Sequence, residues 1–161
     1  MTAAVLTISD SSACGKRADL SGPSVKVTLE RHKFQVVAAK VVADEQPAIQ
    51  EAILEMASRA QLVVTTGGTG IAERDVTPEA TRAVCSRLVE GVAERMRAAG
   101  AETTPLAALS RGVCGICGHA LVLNLPGSPQ AATESLTAVL EVLPHALELL
   151  SGKTAHNRRH G

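Results

Sequence analysis

Aromatic side chains are almost missing from this chain of 161 residues: there is one Phe, no Trp and no Tyr. Its core must therefore be assembled from Val, Leu, Ile and Ala. A flat ligand would be gripped by backbone and aliphatic surface, because Phe34 alone cannot build a stacking box. Net charge is missing too: sixteen basic and sixteen acidic residues cancel. No global field draws the chain to nucleic acid or to an anionic membrane, and the basic–aromatic interleaving that binds RNA or DNA is absent. No apolar run approaches the ~20 residues needed to cross a bilayer. The opening MTAAVLTISD lacks the charged start and long apolar centre of a signal peptide. A cytoplasmic location is the expectation, with the four cysteines (Cys14, Cys85, Cys114, Cys117) as reduced thiols.

Two kinds of catalytic apparatus are also lacking. A structural zinc site needs four ligands, usually from two close pairs. Here CGIC supplies Cys114 and Cys117, with His119 two residues on, and there is no second CxxC. The pair sits in a glycine-rich turn, whereas a redox motif follows a first strand and opens a helix. No Ser-His-Asp order stands out, and His32 and His145 read as structural or solvated.

What is present is an alternation of strand and helix signals. Val5 to Ser9 reads as a strand ending in Ser9-Asp10, followed by a flexible piece containing Gly15. Ser21-Gly22-Pro23 opens a helix, with proline where its missing N–H is harmless, and Val25, Leu29 and His32 share one face. Gln35 to Val42 is β-rich and ends at Ala43-Asp44-Glu45. Pro47 opens a helix with the apolar stripe Ile49, Ile53, Leu54 and Met56. Leu62 to Thr66 is a third strand and Pro78 to Val84 a third helix. Gly91 to Ala101 reads as a helix stopping at Gly100, and Thr104-Pro105 begins a short helix through Leu109. Residues 111–118 form a turn or hairpin leading to a strand at 120–124. A last helix runs from Ser128-Pro129 to about Leu150, which Pro144 should kink or split.

Such alternation predicts an α/β fold: a three-layer α/β/α sandwich around a mostly parallel sheet. Residues 1–150 are expected to form one domain, followed by a flexible basic tail at 151–161. Polar or glycine-rich clusters follow each strand, and in an open α/β sheet those carboxyl ends form one edge, where ligands bind. The cluster LVVTTGGTGIAERDVTPEAT resembles a phosphate cradle, with a glycine run exposing successive N–H groups and with Thr66 and Thr69 as hydroxyl donors. It lacks the lysine of a P-loop, so charge neutralisation falls to Mg²⁺ held by Asp75 and by Asp44 of the neighbouring strand end. Taken alone, the glycines fit a plain tight turn equally well. The N-terminal Ser9, Asp10, Asp19 and Ser21 could read the edge of a heterocycle, or serve as ordinary loop and cap residues.

The combination is more specific than its parts. TISDSSACGKRADLSGP, TTGGTGIAERDVTPEAT and LSRGVCGICGHALVLNLPGSP, with the spacing between them, resemble the MoaB/Mog family of molybdenum cofactor biosynthesis, from about Val5 to Leu150. The resemblance implies a compact α/β/α domain that forms homotrimers, or in some members hexamers. Its implied activity is molybdopterin adenylyltransferase: AMP passes from ATP to the molybdopterin phosphate and pyrophosphate is released. A downstream molybdenum insertase is the implied partner. The alternative is a non-catalytic molybdopterin- or nucleotide-binding oligomeric module of the same family. By resemblance Thr66, Gly67, Gly68, Thr69 and Gly70, with Asn124, Pro126, Gly127 and Ser128, contact the nucleotide. Asp44 and Asp75 are the essential acids and hold Mg²⁺. Ser9, Asp10, Asp19, Ser21, Gly22, Ser110 and Arg111 serve the molybdopterin. Relatives commonly carry arginine where this chain has Cys117, a change that removes a charge from a possible phosphate site, with Arg111, Lys16 or Arg17 as substitutes.

Overall fold

The computed structural model of the protein describes residues 1–152, so the predicted tail from 153 onward lies outside the described residues. The elements in chain order are β1 (Thr2–Ile8), α1 (Asp10–Ala13), α2 (Ser21–Arg31), β2 (Gln35–Val42), α3 (Gln46–Ala57), β3 (Leu62–Thr66) and α4 (Thr77–Val84). There follow β4 (Arg87–Leu88), α5 (Glu90–Thr103), a 3₁₀ helix (Pro105–Leu109), β5 (Cys114–Cys117), β6 (Ala120–Leu125), α6 (Pro129–Val139) and α7 (Leu143–Leu150). One sheet holds the strands in the order β2-β1-β3-β6-β5-β4. β2, β1, β3 and β6 run parallel; β5 is antiparallel to β6, and β4 to β5.

Strand alternation decides which side chains enter which layer. Ala3, Val5, Leu62, Val64, Leu121 and Leu123 face a core closed by α2, α5, α6 and α7. Ala4, Leu6, Ile8, Val63 and Val122 face the opposite core, closed by α3 and α4. Both faces of the central strands are therefore apolar, as a parallel sheet covered twice requires. β1 leads to α2 on the first face, whereas its neighbour β3 leads to α4 on the second. Adjacent strands whose connections leave for opposite faces open a crevice at their carboxyl ends.

Several local expectations change. The supposed flexible piece begins as the short helix α1, capped by the Ser9 hydroxyl. His32 ends α2 as an exposed residue whose Nδ1 stands 2.8 Å from the Thr28 carbonyl, so it does not join the Val25–Leu29 face. Leu54 is 52% exposed, and Ala52 takes its place among the buried positions of α3. Helix α5 runs through Gly100, which is there for close approach: a Cβ would stand 2.9 Å from that of Ala107 on the 3₁₀ helix. Pro144 does split the last helix, standing in the first turn of α7. CGIC is itself strand β5, and Cys114 and Cys117 enter opposite cores because strand positions three apart face opposite ways.

Candidate active site

The loop after β3 sits in the crevice. Gly67 (φ +100°) and Gly68 (φ +66°) take left-handed conformations, and a Cβ on Gly67 would lie 2.2 Å from the Ile8 carbonyl oxygen. Only glycine lets the chain cross the end of β1 here. The carbonyls of the loop are held by the scaffold. Thr77 donates its hydroxyl to Gly67 O (2.9 Å) and its amide to Gly68 O (3.1 Å). Arg111 donates its amide to Thr69 O (2.8 Å) and Nε to Gly70 O (2.7 Å). The amides are not held: Gly68, Thr69 and Gly70 donate to nothing among the described residues. Three successive N–H groups without acceptors are what an anion-binding nest requires.

Carboxylates gather beside it. The Asp10 amide donates to Asp44 Oδ2 (2.9 Å) and the Asp44 amide to Asp10 Oδ1 (3.0 Å), which joins the ends of β1 and β2 reciprocally. Arg74 grips Asp10 with Nε–Oδ2 at 2.6 Å and Nη2–Oδ1 at 3.0 Å, and reaches Glu45 Oε1 at 3.2 Å. The Arg74 side chain and the Asp44 amide hold the Asp10 carboxyl below its usual range. Asp44 moves the other way: burial pushes it up, and the charges of Asp10 and Asp75 add to the rise. Asp75 Oδ2 accepts the Ala72 amide at 3.0 Å. Among the described residues, one oxygen of Asp44 and one of Asp75 thus remain without a partner in a shared cleft. No group of three or more His, Cys, Asp or Glu among the described residues could hold a metal ion unaided. Two hard carboxylate oxygens do fit Mg²⁺, which usually takes one or two carboxylates plus substrate phosphates.

Much of the remaining predicted set builds the scaffold. Asn124 is buried: its amide group donates to Thr65 (3.0 Å) and Thr81 (2.9 Å) and its carbonyl accepts the Val113 amide (3.2 Å). Asp19 accepts the Thr7 hydroxyl (2.7 Å) and the Gly22 amide (3.0 Å), and a Cβ on Gly22 would stand 2.3 Å from Asp19 Oδ2. Thr66 donates to the Pro126 carbonyl (2.7 Å), with Ser21 Oγ 3.1 Å away. Ser128 caps α6 through the Ala131 amide (3.2 Å). Arg111 also binds the Asp75 carbonyl and pairs with Glu79, whose carboxyl it holds low. It braces the loop from both sides of Gly70.

Two cavities flank the glycine loop. A cleft of ≈ 310 Å³ is lined by Ser9, Asp19, Ser21, Asp44, Thr66, Gly67 and Ser128, with Arg17 at its wall. A cavity of ≈ 410 Å³ opens between α5, the 3₁₀ helix and α6, lined by Thr69, Gly70, Met96, Arg97, Leu106, Ser110, Asn124, Pro126, Glu134 and Ser135. Gly68, Asp75 and Gly127 line both. The residues assigned to molybdopterin are therefore divided, Ser9, Asp19 and Ser21 from Ser110. Met96, Arg97, Glu134 and Ser135 escape sequence reasoning because they are ordinary helix residues until α5 and α6 face one another.

The family described as "Probable molybdopterin binding domain" matches residues 4–145. The chain belongs to that family, and within it to MoaB/Mog. The molybdopterin adenylyltransferase of Helicobacter pylori strain J99 is 40% identical over 152 residues, covering 92% of this chain and 86% of the relative. The molybdopterin adenylyltransferase of Escherichia coli K12 is 35% identical over 165 residues, covering 92% and 84%. The crystal structure of the molybdopterin biosynthesis enzyme MoaB of Thermus thermophilus superposes with a TM-score of 0.88 at 49% identity, over 94% of this chain and 96% of that one.

Within this MoaB/Mog fold Cys117 is far from the loop. Cys117 pairs with Ala120 at the start of β6, while the glycine loop meets Leu125 at its end. Five strand residues separate the two edges by roughly 17 Å. Burial pushes the Cys85 thiol up to about 11 and Cys114 to about 12, and raises Cys117 as well. All three pack in or against the cores, where burial disfavours the thiolate that a nucleophile or metal ligand needs.

Proposed function

We propose that this chain is a Mg²⁺-dependent molybdopterin adenylyltransferase, moving AMP from ATP to the terminal phosphate of molybdopterin with release of pyrophosphate. The run of acceptor-free amides at Gly68, Thr69 and Gly70, at the junction of two cavities, carries the reading. A nucleotidyl transfer brings two anionic groups together, and a catalyst must offset their repulsion and align them. Two ligands entering from opposite sides of the loop would meet at Gly68, Asp75 and Gly127.

In this mechanism the loop amides hold phosphate oxygens, and Arg17 adds positive charge on the Asp44 side. Asp44 and Asp75 would hold Mg²⁺, which when bound neutralises polyphosphate charge. A terminal phosphate oxygen of molybdopterin forms a bond to the α-phosphorus of ATP as the bond to the bridging oxygen breaks, and pyrophosphate leaves with that electron pair. The nucleophile is already ionised near neutral pH, so neither aspartate must act as a base. The proposal extends to residues 1–150 working as one domain of a cytoplasmic homotrimer that supplies a molybdenum insertase.

The test is incubation with molybdopterin, ATP and Mg²⁺, following pyrophosphate and adenylylated pterin. Product is expected, and chelation of Mg²⁺ should abolish it. Binding of both substrates without pyrophosphate would favour a non-catalytic module; no binding and no product from folded protein would refute the reading altogether.

A further inference from the structure

Resting on the adenylyltransferase reading, we infer that Glu134 and Ser135 of α6, with Arg97 of α5, are the specificity residues that select a pterin in the larger cavity. Its wall supplies Ala93, Met96 and Leu106 as aliphatic surface for a flat ring, the arrangement that a chain without Trp or Tyr must use. Thr69 is 5% and Ser135 7% exposed, and neither hydroxyl has a hydrogen-bond partner among the described residues. No inaccessible side-chain nitrogen or oxygen lacks a partner among the described residues, so both hydroxyls keep access to the cavity they line. An almost buried, unpartnered hydroxyl is a group waiting for a ligand atom.

The chemistry of the three residues distinguishes two bicyclic nitrogen heterocycles. The pyrimidine edge of a pterin presents two adjacent donors, the 2-amino group and N3–H, next to a 4-oxo acceptor. Adenine presents one donor, its 6-amino group, beside the acceptor N1. A carboxylate offers acceptors only and a guanidinium donors only. Glu134 therefore complements the paired donors of a pterin in a forked, charge-assisted arrangement, whereas it would turn a lone pair toward adenine N1. Arg97, held in place by its Nη1 bond to the Gly112 carbonyl at 3.0 Å, suits the 4-oxo group. Gln130 donates to one Glu134 oxygen at 2.9 Å and leaves the other without a protein partner among the described residues. ATP then occupies the Asp44 cleft, and Ser9, Asp19 and Ser21 belong to the nucleotide side.

The experiment compares wild type, Glu134→Gln and Ser135→Ala in adenylyl transfer, with molybdopterin and ATP varied separately, and measures binding of free 6-hydroxymethylpterin by its fluorescence. Glu134→Gln should raise the KM for molybdopterin about tenfold or more and weaken the free pterin similarly. The KM for ATP and the saturated kcat should stay within about twofold, and Ser135→Ala should show a smaller shift of the same kind. An unchanged pterin affinity in Glu134→Gln would overturn the proposal while leaving the transferase reading intact. A rise in the KM for ATP instead would show that the adenine occupies this cavity, and would also overturn it. A wild-type protein that makes no product and binds no pterin would sink both.

Discussion

Gly68→Ala tests whether the glycine loop is a sterically determined device. A methyl group there would stand 2.3 Å from Thr77 Oγ1 and 3.2 Å from Asp44 Oδ1, on a residue whose φ is +66°. The left-handed conformation costs an alanine roughly 1–2 kcal/mol. Displacing the Thr77 hydroxyl breaks its bond to the buried Gly67 carbonyl and leaves that acceptor without a partner, about 1–3 kcal/mol more. Together these predict a loss of about 2–5 kcal/mol in urea unfolding, a large share of the ~5–15 kcal/mol that holds a domain together. Thr77→Ala removes the same hydrogen bond, so the two effects overlap. The double variant should be more stable than the sum of the singles by about 1–3 kcal/mol, the shared bond being lost only once. Additive singles would refute the contact between methyl and hydroxyl as the cause. A Gly68→Ala protein as stable as wild type would refute the loop geometry itself. Pyrophosphate release from the same samples should fall further than stability does, because the amide nest lies in the displaced segment.

Asp44→Asn should lower turnover by about 10²-fold or more, yet raise the unfolding midpoint at neutral pH. The Asp44 carboxyl titrates above its ordinary value of 3.8 in the fold, so the folded state holds an extra proton between the two values. Stability from this group is greatest below 3.8 and declines as pH rises through the folded value; the gain over wild type should therefore shrink on acidification, and a gain that grows would contradict the assignment. Arg17→Ala should raise the KM for ATP about tenfold with little change in folding, and a KM unaltered at low salt would remove Arg17 from the site. Cys117→Ser should leave the KM for both substrates within about twofold, since the residue stands roughly 17 Å from the loop; a selective rise in either would reopen its role in binding.

Topology was more legible than chemistry. Leu62 to Thr66 reads as a buried strand from five residues, and Pro23, Pro47 and Pro78 each mark a helix start that the fold keeps. From that alternation the meeting of Asp44 and Asp75 at one edge follows without any side-chain knowledge. Asp10 did not follow. Its type and position suggest a ligand-reading group, but its carboxylate belongs to Arg74, 64 residues away, and to the Asp44 amide. The same holds for Asn124, whose partners lie 43 and 59 residues distant. β4 has only two residues and exists through pairing with β5, so no periodicity could announce it. Glu134 and Ser135 sit one after the other on α6, where a sequence sees a polar helix surface and only packing against α5 makes a cavity wall.

Charge is arranged in this site with opposite signs of need. Asp10 lies against a guanidinium, which offsets its charge before any ligand arrives. Asp44 lies against two other carboxylates and is partly removed from water, so its ionised form is disfavoured in the resting protein. A stability-driven design would reverse this, placing the cation beside the more buried acid. The strain has a use if the unmet charge is what holds a cation. A triphosphate entering the cleft adds repulsion of about 4 kcal/mol for each close pair of like charges at an effective dielectric near 20. Arg17 and the neutral Gly68 amide would have to counter this on the nucleotide side. The proposed Mg²⁺ relieves the aspartate pair and the phosphates at once. That common relief would account for two repelling acids standing beside a run of acceptor-free amides, where each alone would weaken the other.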